Sequence, residues 1–504
     1  MNRDREKGAP QTAGGMKQRK SGSGAKPVRT GAVGKPGKSG AAARPGKPNA
    51  FRRPGGRPRP YVGDARKTAY LALADVMRRG AYTQLALNAR LRSSYLRLED
   101  KQLATAIFYS ALENRLRIAW HLERLVEHMP NDVVEDILHI AAAQLLFLDR
   151  VPDHAAVDEA VKQAREMGQE AFAALVNGTL RSLIRARDAG TLSLPEEPEA
   201  YRLSIASSTP RWLVDKLAGE YGFETARALI DYRPDERTVT IRPNLMQYDS
   251  ASFSAYLDRL GLQYRESALP CAFRISGGGD LAGAPGFRSG EYSLMSEGSM
   301  LAALAVRPER GWNLLDACAA PGGKSCLLAE LLGGSGRVFA WELHENRAEL
   351  IRNAKKRLRL DNLRVAVRDA SVAREDCFES FDAVLVDAPC SGLGVAVSKP
   401  DIKYRVTEEG IQDLCRTQAR ILDACARYPR PGGALVYSTC SILPEENEKQ
   451  IAAFLERHPE YLPDPDGTWL PQDLRPFWQN GRIQLLPHRD GMEGFFIARL
   501  RRLR

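Results

Sequence analysis

Two cysteines stand where thiol chemistry could be done. Cys390 follows the apolar run of "FDAVLVDAPCSG", and Cys440 closes the run "GGALVYSTC". Each run reads as a strand in a region where strands alternate with helices, so each thiol should emerge at a strand end. A lone cysteine in such a place is usually a structural thiol. Two of them at matching ends of neighbouring strands, beside a ligand loop, point instead to covalent catalysis. A free thiol, with a pKa of about 8.5, is only a few per cent thiolate at neutral pH, so this use needs a site that depresses the value.

The ligand loop lies upstream in "NLLDACAAPGGKSCLLAELL". Asn313 to Leu315 form an apolar strand ending at Asp316, the small residues Cys318, Ala319, Ala320, Pro321, Gly322 and Gly323 follow with Lys324, and a helix resumes near Ser325. Small side chains let the backbone approach a cofactor, and a helix N-terminus favours its carboxylate. A phosphate-cradling loop would need glycine where Cys318 stands, and Pro321 removes an amide it would use. The dinucleotide pattern G-x-G-x-x-G is absent.

Acids close three later strands. "GRVFAWELHEN" ends at Glu342, twenty residues beyond Gly322, where an acid can accept from ribose hydroxyls. "LRVAVRDAS" ends at Asp369, placed to meet an adenine amino group, and the next strand ends at Asp387. This is the strand-end pattern of a class I (Rossmann-like) α/β methyltransferase domain with a mostly parallel sheet, whose cofactor is S-adenosyl-L-methionine. Cytosine explains the thiols. Its C5 is a poor nucleophile until a thiolate adds at C6 and makes an enamine that can attack a sulfonium methyl. Asp387 is placed to hydrogen-bond the ring N3 or the exocyclic amine, and to contact the cofactor as well.

The elements that position these groups occupy a chain of 504 residues, 43% of them hydrophobic, enough for two or three domains. Residues 1–60 carry 16 Lys or Arg against Asp4 and Glu6, whereas the rest carries 57 basic and 60 acidic side chains. Rich in Gly and Pro, this tail is expected to be disordered and to act as a phosphate-binding arm. Residues 61–190 show helical periodicity. Ala156, Val157, Ala160, Val161 and Ala164 form one stripe after an N-cap at Asp153. Phe172, Leu175, Val176, Leu180, Leu183 and Ile184 form a second, and Ile137, Ile140, Ala141, Leu145 and Leu148 a third. After the linker "LPEEPEA", residues 200–300 read as a small α+β module for RNA recognition or linkage, with Trp212 and Leu213 turned inward and Arg242 and Asn244 either touching RNA or forming an ordinary strand end. Residues 301–504 form the methyltransferase domain. No apolar run reaches the roughly 18 residues of a membrane span, and no secretory signal is evident, so the chain is expected in the cytoplasm, away from membranes. The eight cysteines include no C-x-x-C pair, and no metal is expected.

The segments "VPDHAAVDEAVKQAR" and "FAALVNGTLRSLIR", with Asn177 and Arg181, resemble the all-α RNA-binding fold of the antiterminator NusB. The motifs "DACAAPGGKS", "VDAPCSGLG", "KPDIKYR", "YSTCSILPEENE" and "LLPHRDGMEGFFIARL" resemble the NOL1/NOP2/Sun family of RNA cytosine-C5 methyltransferases. With the NusB-like domain, the chain from about residue 61 is similar to that family's bacterial 16S ribosomal RNA branch, of the Sun/Fmu type. The resemblance implies a monomer acting on 16S ribosomal RNA or a small-subunit assembly intermediate, at cytosine 967. It implies Cys440 as the nucleophile, Cys390 as the group assisting product release, and Cys318 to Lys324 around the methionine part of the donor, with Glu342, Asp369 and Asp387 completing that site. Lys399 and Lys403 would lie near the substrate, with solvated surface charges the equal reading for lone lysines. Where the family often has "QDEAS", this chain has "MSEGS" at 295–299, which is expected to remove polar contacts there. A non-catalytic assembly factor retaining the same shell, and a DNA or protein acceptor, are the rival readings. The intact thiol pair argues against the first, and the NusB-like domain favours RNA.

Overall fold

The computed structural model describes residues 64–234 and 238–503, so the expectation for the basic tail lies outside the described residues. Seven helices open the described chain: Ala65–Arg79, Thr83–Ser93, Leu98–Glu113, Arg115–Leu122, Asp132–Phe147, Asp153–Glu166 and Ala173–Asp188. The central one is Asp132–Phe147. Asn131 caps it by accepting from the amides of Val133 and Val134, each at 3.1 Å, and its run from Val134 to Leu145 is nearly all buried. The expected stripes pack around it, with Ala156, Val157, Ala160, Ala164, Val176, Leu180 and Leu183 in one core. Asp153 is not the cap of its helix. Pro152 takes that position, and the Asp153 carboxylate instead grips the Arg187 guanidinium at 2.9 and 2.7 Å.

Helices Glu199–Ala206, Arg211–Tyr221 and Phe223–Asp231 follow. Leu213, Leu217, Ala226 and Leu229 share a core with Leu393, Ile411, Ile442, Leu443 and Leu486 of the C-terminal part, with Trp212 packed at its edge. A four-stranded antiparallel sheet comes next, made of β1 (Thr238–Pro243), β2 (Gln263–Glu266), β3 (Phe273–Ser276) and β4 (Tyr292–Leu294) in the order β2-β3-β1-β4. Arg242 and Asn244 do not face RNA. Arg242 is 1% exposed and pairs with Glu330 at 2.7 Å, while the Asn244 amide donates to the carbonyls of Gly290 and Leu358. A sealed ion pair of this kind bolts the small sheet to the next domain, and losing one partner would strand a buried charge.

The C-terminal sheet comprises β5 (Asn313–Asp316), β6 (Arg337–Glu342), β7 (Leu363–Val367), β8 (Phe381–Asp387), β9 (Pro429–Thr439), β10 (Tyr461–Pro463), β11 (Arg482–Leu485) and β12 (Phe495–Arg502). Its order is β10-β12-β9-β8-β5-β6-β7, with β11 also on β12. Strands β5 to β9 run parallel, and β12 is antiparallel to β9. Both faces are covered, so the strands are continuously apolar. Leu314 and Leu385 face a core with the helix Gly323–Leu331, whereas Leu315, Val384 and Val386 face one with the helices Glu408–Cys425 and Glu448–Arg457. That alternation fixes the register of the site: Asp387 on β8 stands opposite Ser438 on β9.

Candidate active site

Cys390 lies just past β8 and Cys440 just past β9, and their Sγ atoms are 3.3 Å apart, each thiol partly exposed. The hydrogen bond with Cys390 lowers the pKa of Cys440, and Lys324 and Lys399 pull the same way against burial and Asp387. The same bond, with burial, raises Cys390 well above the ordinary thiol range. The contact therefore eases ionisation of Cys440 relative to Cys390. Elsewhere burial dominates: Cys425 is raised in an apolar core by burial alone, and Cys326 is pushed up to about 12 by burial first, with smaller effects of Arg242 and Glu330.

Beside the thiols, the Lys324 ammonium pairs with Asp387 Oδ2 at 2.6 Å and lies 3.3 Å from Ser299 Oγ. Ser438 Oγ donates to Asp387 Oδ1 at 2.8 Å, so both carboxylate oxygens are engaged. Ser299 belongs to the divergent "MSEGS" segment, which makes polar contacts of its own. Its Ser296 caps the helix Glu297–Leu304, and Glu297 pairs with Arg274 at 2.6 Å.

The donor loop is shaped by Gly322, whose φ of +104° is open to glycine and whose Cα packs so closely on helix Glu345–Leu358 that a Cβ would meet Ile351 at 3.2 Å. Helix Gly323–Leu331 begins there without a side-chain cap, leaving first-turn amides for an anionic group. Glu342 closes β6 and is 4% exposed, with its carboxylate accepting from the His344 amide at 3.1 Å. Asp369 sits two residues past β7, exposed, its pKa lowered by the Ser371 hydroxyl and amide. Asp316, expected only as a strand end, is fully buried. Its Oδ2 accepts from Ser325, its Oδ1 has no partner, and burial pushes it up to about 7. Amides for a carboxylate and separate acids for hydroxyls and an amino group fit S-adenosylmethionine.

Lys399 is exposed near the thiols, but Lys403 is not a substrate contact. Its amine is buried and donates to the carbonyls of Ser207 at 3.0 Å and Glu113 at 3.4 Å, and the neighbouring Tyr404 hydroxyl reaches Leu112 and Ser208. "KPDIKYR" is thus in part a joint between the helical bundle and the sheet. Among the described residues, no cluster of His, Cys, Asp or Glu could hold a metal ion, and no helix is long and apolar enough to cross a membrane.

A parallel sheet whose edge combines this donor loop, three strand-end acids and a thiol pair defines a class I methyltransferase that uses S-adenosylmethionine. Residues 303–501 match the family described as 16S rRNA methyltransferase RsmB/F, and residues 63–185 match the NusB family. The chain is 36% identical over 442 residues to a probable ribosomal RNA small subunit methyltransferase B of Bacillus subtilis, covering 87% of this chain and 98% of that one. It is 31% identical over 441 residues to the ribosomal RNA small subunit methyltransferase B of Shewanella oneidensis, covering 86% and 98%. The crystal structure of the protein PH0851 superposes with a TM-score of 0.73 at 25% identity, over 86% of this chain and 98% of that one. The chain belongs to the RsmB/F family, and it is an S-adenosylmethionine-dependent rRNA methyltransferase.

The groups that sequence reading missed are Ser299, the orphaned oxygen of Asp316, and Glu446. A usable signal for the last was that both cysteines are followed by serine, in "PCSG" and "TCSI".

Proposed function

We propose that this enzyme methylates C5 of a cytosine in 16S ribosomal RNA, cytosine 967 by resemblance, through a covalent adduct to Cys440. The observation that carries the reading is the thiol pair, 3.3 Å apart at a rim flanked by Lys324 and Asp387. Cys440 Sγ adds to C6 of the base, the ring electron pair moves toward N3, and N3 takes a proton from solvent. The Asp387 carboxylate accepts from that N3–H in exchange for one of its present partners. When bound, S-adenosylmethionine supplies an electrophilic methyl. Residues 318–324 would hold its methionine part, and Glu342, Asp369 and Asp387 its polar groups. Once C5 is methylated, the C5 proton passes to solvent water, and its bonding pair re-forms C5=C6 as the C6–S bond breaks. N3 gives back its proton and the Cys440 thiolate leaves, with Cys390 serving release.

The experiment is an asymmetry. Cys440→Ala should lose methyl transfer by at least about a thousandfold and form no covalent RNA complex. Cys390→Ala should accumulate a protein–RNA adduct on denaturing gels. The opposite pattern would exchange the two roles. Bisulfite sequencing of rRNA from cells lacking the gene tests the site, which should revert to unmodified cytosine.

The same reading gives residues 61–190 and the tail, residues 1–60, the task of holding RNA, and gives residues 200–300 a linking role. It makes the protein a cytoplasmic monomer acting on naked RNA or an assembly intermediate. Deleting residues 1–60 should flatten the salt dependence of RNA binding and leave the chemical step intact. An unchanged slope in a filter-binding titration would remove the arm from the account.

A further inference from the structure

The two cysteine loops share one buried anchor. Ser391 follows Cys390 and Ser441 follows Cys440, and both hydroxyls donate to Oε2 of Glu446. The other carboxylate oxygen accepts from the Ser391 amide at 2.7 Å and from Gln418 Nε2 at 3.2 Å. The amides of Leu393 and Leu443 donate to the two serine oxygens at 3.4 and 3.1 Å, which leaves each hydroxyl proton to the carboxylate. Glu446, Ser441 and Gln418 are wholly buried and Ser391 nearly so. Glu446 is itself held by its carbonyl, which accepts from the Tyr437 hydroxyl at 2.6 Å, and by Asn447 beside it, whose amide donates to the Ser441 carbonyl at 3.0 Å.

Apolar packing could close this space without the desolvation cost of a buried carboxylate. What the carboxylate adds is a single acceptor shared by loops from two different strands. Each tie lies one residue from a sulfur, so the distance between the thiols follows the distance between the serines.

We propose that Glu446 is the positioning residue of the thiol pair, holding Ser391 and Ser441 together so that the two sulfurs stay within proton-exchange distance. The proposal rests on the covalent chemistry inferred above. The ionisable groups facing Cys390 are Cys440, Glu446, Asp387 and Tyr437, and the charges of Glu446 and Asp387 both favour its protonated form. Glu446 therefore supports the donor thiol by geometry and by charge.

Glu446→Gln keeps the shape but puts a donor where an acceptor was needed. We expect kcat to fall about tenfold or more, with KM for RNA and affinity for S-adenosylmethionine within about twofold of wild type, because no substrate contact is lost. In a Cys440→Ala background, iodoacetamide should alkylate Cys390 from a lower pH in the Glu446→Gln protein, the midpoint moving down by about 0.5 or more. A purely structural loss would leave that midpoint in place. If Glu446→Gln does not fold, the Ser391→Ala/Ser441→Ala protein, which keeps the carboxylate and cuts the tie, should show the same fall in kcat. Wild-type kcat in the folded variant, or an unmoved alkylation midpoint, overturns the proposal. Absence of an RNA adduct in every protein, Cys390→Ala included, would sink the covalent reading instead, while the alkylation midpoint would still report on the anchor.

Discussion

At the thiol rim and at the joint between bundle and sheet, a lysine amine is drawn into protein, and the pKa values of the two move in opposite directions. Burial works against the charge of both Lys324 and Lys403. At the rim, Asp387 at 2.6 Å more than offsets that cost, and the pKa of Lys324 is raised. At the joint the partners are carbonyls and Arg233 adds repulsion, so the pKa of Lys403 is lowered to about 7. A carbonyl dipole orients an amine but does not pay for its charge. The difference separates chemistry from architecture. The amine whose charge is upheld stands where its field acts on Cys440, and the amine whose charge is weakened serves as a strut between domains.

The hardest blow to this contrast would fall on Lys324. Lys324→Met removes the cation beside Asp387 and Cys440, and kcat should drop about a hundredfold, the scale of a lost preorganised charge at a reacting centre. The pH at which Cys440 reacts with iodoacetamide should rise, since Lys324 is one of the groups holding that thiol down. Activity within a few-fold of wild type, with an unmoved alkylation profile, would erase the distinction between the two amines.

Lys403→Met should leave the chemistry alone and act on stability. Folding depresses this amine from about 10.4 to about 7, so the unfolded chain binds the proton more tightly between those values. The joint's contribution is therefore fully present above the higher value and lost as pH falls toward the lower one. Thermal midpoints measured from pH 7 to 10 should rise more steeply in wild type than in Lys403→Met, with kcat at pH 8 changed by less than about threefold. Parallel lines would mean that Lys403 is charged when folded.

Much of the rim was legible because its positions follow from strand ends. The small-residue loop, Glu342, Asp387 and both cysteines each close an apolar run, and a parallel sheet gathers such ends on one edge. The joint was not legible. Arg242, Asn244 and Lys403 look like surface groups because the partners that bury them lie far along the chain, at Glu330, Leu358 and Glu113. Local periodicity reports which face of an element is apolar and is silent on which polar residue meets another domain. Glu446 escaped for the same reason, since its meaning depends on Ser391, reached from a different strand.

Lys399 offers the finest test of the comparison. It is exposed and still helps to lower the pKa of Cys440, so it acts on the thiol as Lys324 does but through solvent. Exposed charges couple by about 1 kcal/mol or less, and salt screens them over about 8 Å at physiological ionic strength. Lys399→Ala should therefore cost about two- to threefold in kcat/KM at low salt, and the deficit should close as salt is raised to about 0.5 M, where wild type and variant converge. Competing with this is a direct grip on RNA phosphate. That would appear as a rise in KM with kcat unchanged and a shallower salt slope of binding. A loss in kcat as large as that of Lys324→Met, persisting at high salt, would show that burial is not what decides which lysine does chemistry here.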